Sequence, residues 1–593
     1  MQLLNSSQFF ETNYILIYMR AIKSKNVNEV YKYIAHLFLL AAIISSIISS
    51  IKVRSSAISG ALWIVSLLLT FYSFSIRDRQ KIYNICTRLK TSWSEIWGIM
   101  SISLYALLVR SLYPLPSTLY IHNDEASCGL YSRILLSNPS QWFSIGWYGL
   151  PMLAYSLGAA GLAIFGNTIY GLRYANAILG TIGVVLLYLL TKKLFTRRVA
   201  VIAAILLSSM YVHILFSNNG LQDIQGPTFI TLSVYLFFEF IDTPSLITSF
   251  IFSIALASNL LVYWGARAAF PLIGFLVFYI LIAQKSILIK TKPYLKPFVF
   301  SFFIAVFPIY SLFSYVPDSF SGHTREVLIV NNTENMQVHL KEQFGNQINY
   351  LFIFAKQFFF TVMTFFSTGD KSLQIGYNQP FLDFTMSALL PTSFFLALFL
   401  LRKNWKHSVA VLWIALVIIA SALTTDAPWW PRLASLTPAI AILIAFAIDY
   451  ISSIYKNRGR YVITILLLSI IIVSNLYTAL ILYPEFAYKS YASPTVIANY
   501  LKKRSDKEYN ILLADMYFTF DYETFQFLVP NKKKCNVNPE ETVDNCLEAG
   551  RPDIVISMPG TEDKLEYIMN SYPGGILSKL KDDTITVYNL TKR

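Results

Sequence analysis

Apolar residues gather along the chain in runs of about 20, separated by short loops rich in Lys and Arg, the pattern that bilayer-spanning helices require. The runs predict thirteen spans, at 33–51, 56–76, 96–113, 169–190, 199–216, 227–241, 245–262, 270–284, 297–315, 383–401, 408–424, 432–453 and 461–483. Composition agrees: hydrophobic residues are 55% and charged residues 14%, where a soluble domain carries about 25% charged residues. Residues 1–30 lack a basic start, short apolar core and small-residue cleavage site, so the first run is expected to be a retained span and not a signal peptide.

Loop charge orients the spans. One set of loops holds Arg20, Lys23 and Lys25; Arg77, Arg79, Lys81, Arg88 and Lys90; Lys192, Lys193, Arg197 and Arg198; Lys285, Lys290, Lys292 and Lys296; Arg402, Lys403 and Lys406; and Lys456, Arg458 and Arg460. The alternate short loops hold only Lys52, Arg54 and Arg267. The basic set is expected on the cytoplasmic side, with the N-terminus inside and the C-terminus outside the cell membrane. The run 146–165 is apolar enough to span, but counting it would move the basic loop 191–198 outside. It is therefore read as an interfacial or re-entrant element of a long external loop, 114–168. A second external loop covers 316–382, and its apolar stretch 351–366 is expected along the membrane surface.

From about Pro484 polar residues rise. Ser493-Pro494 starts a helix, with Ser as cap and Pro at the first position. It runs to about Arg504, and is followed by strands at 510–514 and 553–557, a helix at 561–570 and a strand at 584–590. The chain thus divides into 1–94, a tail with two spans and a basic loop; 95–483, the main membrane module; and 484–593, a small external α/β domain. Cys535 and Cys546 are expected to form a disulfide in an oxidising space; Cys86 and Cys128 are expected unpaired. Two triplets, Asn331-Asn332-Thr333 and Asn589-Leu590-Thr591, fit N-glycosylation sequons on the same side. The net charge of +15 does not form one patch, which argues against a nucleic-acid partner.

Candidate chemistry falls in the external loops. Asp124 and Glu125 stand together in His122-Asn123-Asp124-Glu125-Ala126-Ser127. A partly desolvated carboxylate there would suit a general base, although an Asp-Glu pair can also simply start a helix. Asp223 lies in an otherwise uncharged loop and reads either as a functional acid at the external mouth or as the cap of the next helix. Arg173, Arg267 and Arg432 lie near the same side and could hold a lipid phosphate or snorkel at the interface; His122 joins them as a binding candidate. Trp429-Trp430 reads as an interfacial aromatic belt.

The stretch HNDEASCGLYSR resembles the Asp-Glu motif in the first external loop of the GT-C superfamily. Nearest are the protein O-mannosyltransferases and the lipid A aminoarabinose transferase group, which use polyprenyl carriers. FGNTIYGLRYANAILGTIGVVLLYLLTKKLFTRRVAVIAA, FSNNGLQDIQGPTFITLSVYLFF and PRLASLTPAIAILIAFAID are similar to the segments that follow in that group. The likeness covers roughly 115–245 and returns around 365–450. It implies a GT-C-like membrane fold and inverting transfer of a sugar from a polyprenyl- or dolichyl-phosphate carrier to a protein, lipid or glycan. Asp124 would be the base, Asp223 would support the acceptor or a divalent cation, and Glu125 would position the site. Two features depart from the pattern. The Lys-Pro-Pro segment of some relatives is replaced by Gly146-Trp147-Tyr148-Gly149-Leu150-Pro151, which has no Lys. No Trp-Trp-Asp acceptor motif is present, since Pro431 follows Trp430, so transfer of one sugar is favoured over transfer of a whole oligosaccharide.

Two rival classes stay open: a transporter or flippase of lipid-linked sugar, and a scaffold that presents the external domain. The first predicts an inverted repeat of broken helices, which the runs do not display. Neither predicts acids in two successive external loops.

Overall fold

The computed structural model describes residues 25–51, 56–79, 93–112, 120–315, 317–331, 333–345, 349–402, 404–456, 458–515 and 518–591. Arg20, Lys23, Lys52, Arg54, Lys81, Cys86, Arg88, Lys90, Asn332 and Lys403 lie outside the described residues. Among those described, seven helices are long and apolar enough to cross a bilayer: Val30–Ser49, Ile58–Arg77, Ile169–Leu194, Trp264–Ala283, Trp405–Ala422, Trp430–Ser453 and Arg458–Tyr491. The predicted run 199–216 is not one straight helix. Arg197–Ser209 and Tyr211–Ser217 meet at 62°, and the Tyr211 N–H is satisfied by the Asn475 side chain, 2.9 Å away. A buried amide must find a partner somewhere, and here it lies on a distant helix. Counted as one, this bent pair makes an eighth span.

The remaining runs are helical as well, at Trp93–Leu112, Gln225–Asp242, Leu246–Ser258, Leu295–Tyr315 and Phe384–Leu400. The stretch around 146–165 becomes two 3₁₀ turns, Trp147–Gly149 and Met152–Tyr155, and a helix, Ser156–Phe165. Met152–Phe165 is about 21 Å long at helical rise, short of the roughly 30 Å hydrocarbon core. Tyr350–Met363 is a similarly short apolar helix.

The bundle has two chemically different ends. At one, the predicted basic loops meet each other. Lys192 pairs with Glu95, Lys193 with Glu239 at 2.7 Å, and Lys406 donates to the Lys193 carbonyl at 3.0 Å. Arg198 and Arg460 share Asp449 at 2.8 and 2.9 Å. At the other end lie Glu125 and Arg173, 2.6 Å apart. Arg173 and Lys192 belong to one helix, and their separation along its axis is about 28 Å, close to the thickness of the hydrocarbon core.

The C-terminal domain is a five-stranded sheet, β1 (Tyr509–Leu513), β2 (Lys533–Val537), β3 (Ile554–Ser557), β4 (Ile576–Leu580) and β5 (Ile585–Asn589), in the order β2-β1-β3-β5-β4. The first three are parallel and β5 runs antiparallel to both β3 and β4. Helix Ser493–Lys502 begins where expected, but Ser493 is no cap: the cap position is Ala492, and the Ser493 hydroxyl accepts from Lys581 Nζ at 2.6 Å. A disulfide joins Cys535 in β2 to Cys546, with Cα atoms 5.9 Å apart.

The domain docks on helix Asn123–Ser137. The backbone just ahead of that helix is held at both polar groups: the Ile121 N–H donates to Thr495 Oγ1 at 2.9 Å, and the Ile121 carbonyl accepts from Thr524 Oγ1 at 3.3 Å. Phe527 lies against Gly129, where an added Cβ would stand 2.5 Å from the ring, and the Arg133 guanidinium lies 3.9 Å from the same ring's centroid. A side chain at 129 therefore has to displace Phe527. Gly129→Val is expected to weaken docking by about 1–3 kcal/mol. Limited proteolysis between the last span and the domain should accelerate while the helical circular-dichroism signal stays intact; an unchanged cleavage rate would mean that this contact does not hold the domain.

Candidate active site

Helix Asn123–Ser137 starts as its sequence suggests, with both acids in the first turn, where the helix dipole favours negative charge. His122 is the cap: its ring Nδ1 accepts the Asp124 N–H at 3.2 Å, and burial holds the imidazole pKa below its ordinary value. Adjacent helical side chains diverge by about 100°, so Asp124 and Glu125 have different surroundings. Glu125 is buried. It takes two bonds from Arg173, at 2.6 and 2.7 Å, and one from the Gly220 N–H at 2.7 Å. Arg173 also donates to the Tyr120 carbonyl. Gly220 is required at this approach, because a Cβ there would stand 2.3 Å from Leu172 and 2.9 Å from Glu125. In this arrangement Arg173 and His122, the two other binding candidates, are both engaged within the protein. Arg173 is committed to Glu125, His122 caps a helix, and neither lines the main cavity described below.

Asp124 accepts a 2.7 Å bond from Gln374 Nε2. Gln374 sits on a loop that Asp370 organises from within. One Asp370 carboxylate oxygen accepts the N–H groups of Ser372 and Trp430, at 3.0 and 2.8 Å; the other accepts the Gly376 N–H at 3.0 Å and the Ser372 hydroxyl. Burial pushes the Asp370 pKa up to about 6 despite these bonds.

Asp223 does not cap the helix after it; that position is Ile224, with no side-chain bond. Its loop is shaped by Asn176, which donates to the carbonyls of Asn219 and Leu221 at 2.6 and 2.7 Å. Its carboxylate is buried, and Oδ2 has no hydrogen-bond partner. Burial pushes its pKa up to about 7; bonding to Tyr263 and Asn219 opposes the rise and the Asp124 charge adds to it.

Asp124, Asp223, Arg267 and Arg432 all line one cavity of about 680 Å³. Arg267 lies 3.8 Å from the Trp264 ring centroid and Arg432 4.9 Å from that of Trp429. Arg432 also donates to Thr424 Oγ1 at 2.8 Å and to the Thr425 carbonyl. The two tryptophans read as a belt separate: Trp429 lines the cavity, whereas Trp430 is fully buried and donates to Thr364. Pro271, Leu416 and Val417 give the cavity an apolar wall from two membrane-spanning helices. Gln374, Tyr263 and His323 also line it and were missed, because isolated residues in loops between spans follow no periodicity. Among the described residues no group of three or more His, Cys, Asp or Glu could hold a metal ion.

By sequence, residues 150–311 match the family model described as dolichyl-phosphate-mannose-protein mannosyltransferase. An uncharacterized protein of Aquifex aeolicus (strain VF5) is 33% identical over 147 residues, which is 24% of this chain and 29% of that relative. In three dimensions the chain is similar to ArnT from Cupriavidus metallidurans, in crystal structures bound to undecaprenyl phosphate and in the apo state. Both show a TM-score of 0.51 and 12% identity; the alignments cover 84% of this chain and 99% and 98% of those chains. The chain thus has the multi-spanning membrane fold of these ArnT structures, and its segment 150–311 is similar to the mannosyltransferase family model.

Two outcomes follow from the geometry. Truncating one partner of a buried ion pair strands the other charge, so Arg173→Met should lower stability by about 3–5 kcal/mol, seen as a large drop in melting temperature. A loss below about 1 kcal/mol would remove the bracing role given to the pair. Asp223 has a folded pKa above its unfolded value, so the folded state binds the extra proton and stability falls as pH rises from about 4 to about 7. Asp223→Asn should therefore gain stability over the wild type as pH rises from 5 to 8, by roughly 2–3 kcal/mol and read as melting temperature; a pH-independent difference would contradict it.

Proposed function

We propose that the protein transfers a sugar from a polyprenyl- or dolichyl-phosphate carrier to an acceptor hydroxyl or amine at the external face, with inversion at the anomeric carbon. The observation that carries this reading is the joint lining of one cavity by two carboxylates, two arginines and an apolar wall from spanning helices. A lipid-phosphate sugar needs all three: hydrocarbon for the prenyl chain, cations for the phosphate, and an acid–base group for the acceptor. The carrier class is supported by the family description and by the undecaprenyl phosphate in the ArnT crystals. Sidedness follows from the bundle's two ends, since the clustered Lys and Arg favour the cytoplasm. The acids then face outward with the C-terminal domain, and the N-terminus lies inside the cell membrane.

In this mechanism Asp124 takes the acceptor proton, held toward the cavity by Gln374. The acceptor attacks the anomeric carbon and the carrier phosphate leaves. Arg267 and Arg432 stabilise the charge that develops on it, the usual electrostatic contribution to such transfers. They stand in for the Lys missing from the Gly146–Pro151 turn. Asp223 holds the acceptor through its unpartnered oxygen. A second reading makes Asp223 the base, favoured by a pKa near the operating pH. The acceptor is a protein, lipid or glycan.

The deciding measurement uses purified protein with radiolabelled prenyl-phosphate sugars and candidate acceptors. Asp124→Asn should reduce transfer by at least about a hundredfold, the scale of general base catalysis. Transfer that survives Asp124→Asn, yet loses its acid limb near pH 7 in Asp223→Asn, would reassign the base to Asp223. Translocation of the lipid-linked sugar across vesicles without any transfer would replace the enzyme reading with a flippase.

A further inference from the structure

The inference rests on the carrier-phosphate reading above. Helix Pro317–Val327, in the second long external loop, brings His323 to the cavity. Its ring lies 5.1 Å from Tyr148 and 5.8 Å from Trp264, and its Nδ1 is buried without a hydrogen-bond partner. Among the described residues, three side chains lining that cavity are bases: Arg267, Arg432 and His323. The arginines are charged throughout, so of these three bases His323 is the one whose charge can change during a reaction cycle.

The chemistry calls for such a change. A sugar-phosphate-prenyl donor is a phosphodiester with one negative charge. In transfer, the bond from the anomeric carbon to the phosphate oxygen breaks and its electron pair stays on that oxygen. The new bond joins the acceptor to carbon, and the acceptor proton goes to the carboxylate. The carrier left behind is a phosphomonoester with up to one more negative charge. Fixed cations alone cannot follow that change in charge.

We propose that His323 takes up a proton from solvent when the carrier monoester phosphate occupies the cavity, and so becomes its third cationic contact. The groups around the ring favour a neutral imidazole without phosphate and a charged one with it. Arg432, from helix Trp430–Leu433, repels a proton on His323; together with burial, the first cause, it holds the imidazole pKa down at about 4. Arg267 and Trp264 come from the start of a spanning helix, and Tyr148 from the turn Trp147–Gly149. On its own helix the facing charge is Glu326, 3.9 Å away and mostly exposed. The preceding helix, Leu295–Tyr315, has no charged residue after Lys296. A phosphate beside Arg432 offsets the repulsion and supplies a charged acceptor, and that attraction acts against the burial that remains.

The test is calorimetric titration of the full-length protein with undecaprenyl phosphate near pH 7, in two buffers of different ionisation heat. The difference gives protons taken up per molecule bound. Wild type should take up close to one proton more than His323→Gln, the lipid's own titration being common to both. The variant should bind roughly tenfold more weakly at pH 6.5, the worth of one charge-assisted hydrogen bond. Nitrogen-15 histidine spectra of the wild type, with and without the lipid, give a reading that needs no variant: the His323 ring should pass from neutral to imidazolium. Equal proton counts with a ring that stays neutral would overturn the inference and leave the carrier reading standing. If wild type binds neither undecaprenyl nor dolichyl phosphate, the carrier reading falls and takes the inference with it.

Discussion

Everything near the cavity depends on the buried pair Glu125–Arg173. Three separate pieces of chain meet there: the acid helix through Glu125, the long helix Ile169–Leu194 through Arg173, and the loop carrying Asp223 through the Gly220 N–H. A buried ion pair earns little net stability against an apolar replacement. Its value here is directional. The planar guanidinium fixes the carboxylate in one orientation, and the remaining carboxylate lone pair fixes the backbone of the loop. The neighbouring Asp124 is thereby aimed at the cavity by a residue that never enters it.

The cavity joins two solvents. Its apolar wall belongs to helices that cross the membrane, while its acids sit on elements held by the C-terminal domain and by the Asp370-centred loop. A ligand with a hydrocarbon tail and a charged head can satisfy both regions without leaving its bilayer. The buried state of Asp223 follows from the same placement: a carboxylate at the edge of a low-dielectric region resists ionisation, and the loop bonds from Asn176 keep it there.

Much of this was legible in the chain. Run length and the Lys/Arg alternation marked a membrane protein with two unlike ends, and motif order pointed to the fold shared with the ArnT structures. Residues 146–165 form elements too short to cross. The misses have physical causes. The break between Arg197–Ser209 and Tyr211–Ser217 is completed by Asn475, hundreds of positions away. Strands β2 and β4 read KKCNV and ILSKL; mixed with charge and largely open to solvent, they show no hydrophobic alternation. Arg173, Arg267 and Arg432 look alike as isolated arginines near one membrane face, yet one is an internal brace against Glu125 and two line a cavity. Gln374, Asp370 and His323 lie in a long loop region whose few charges follow no period.

The clamp on Ile121 has a bearing on how the protein comes into being. The N–H and carbonyl of one residue, three positions before Asp124, are held by threonines at 495 and 524. A ribosome makes the acidic loop early and these threonines hundreds of residues later. While the membrane bundle is being inserted, the loop lacks both its clasps. The two bonds on Ile121 can form only after the C-terminal domain has been made and folded, so the backbone ahead of the acidic helix is among the last pieces of the chain to be fixed.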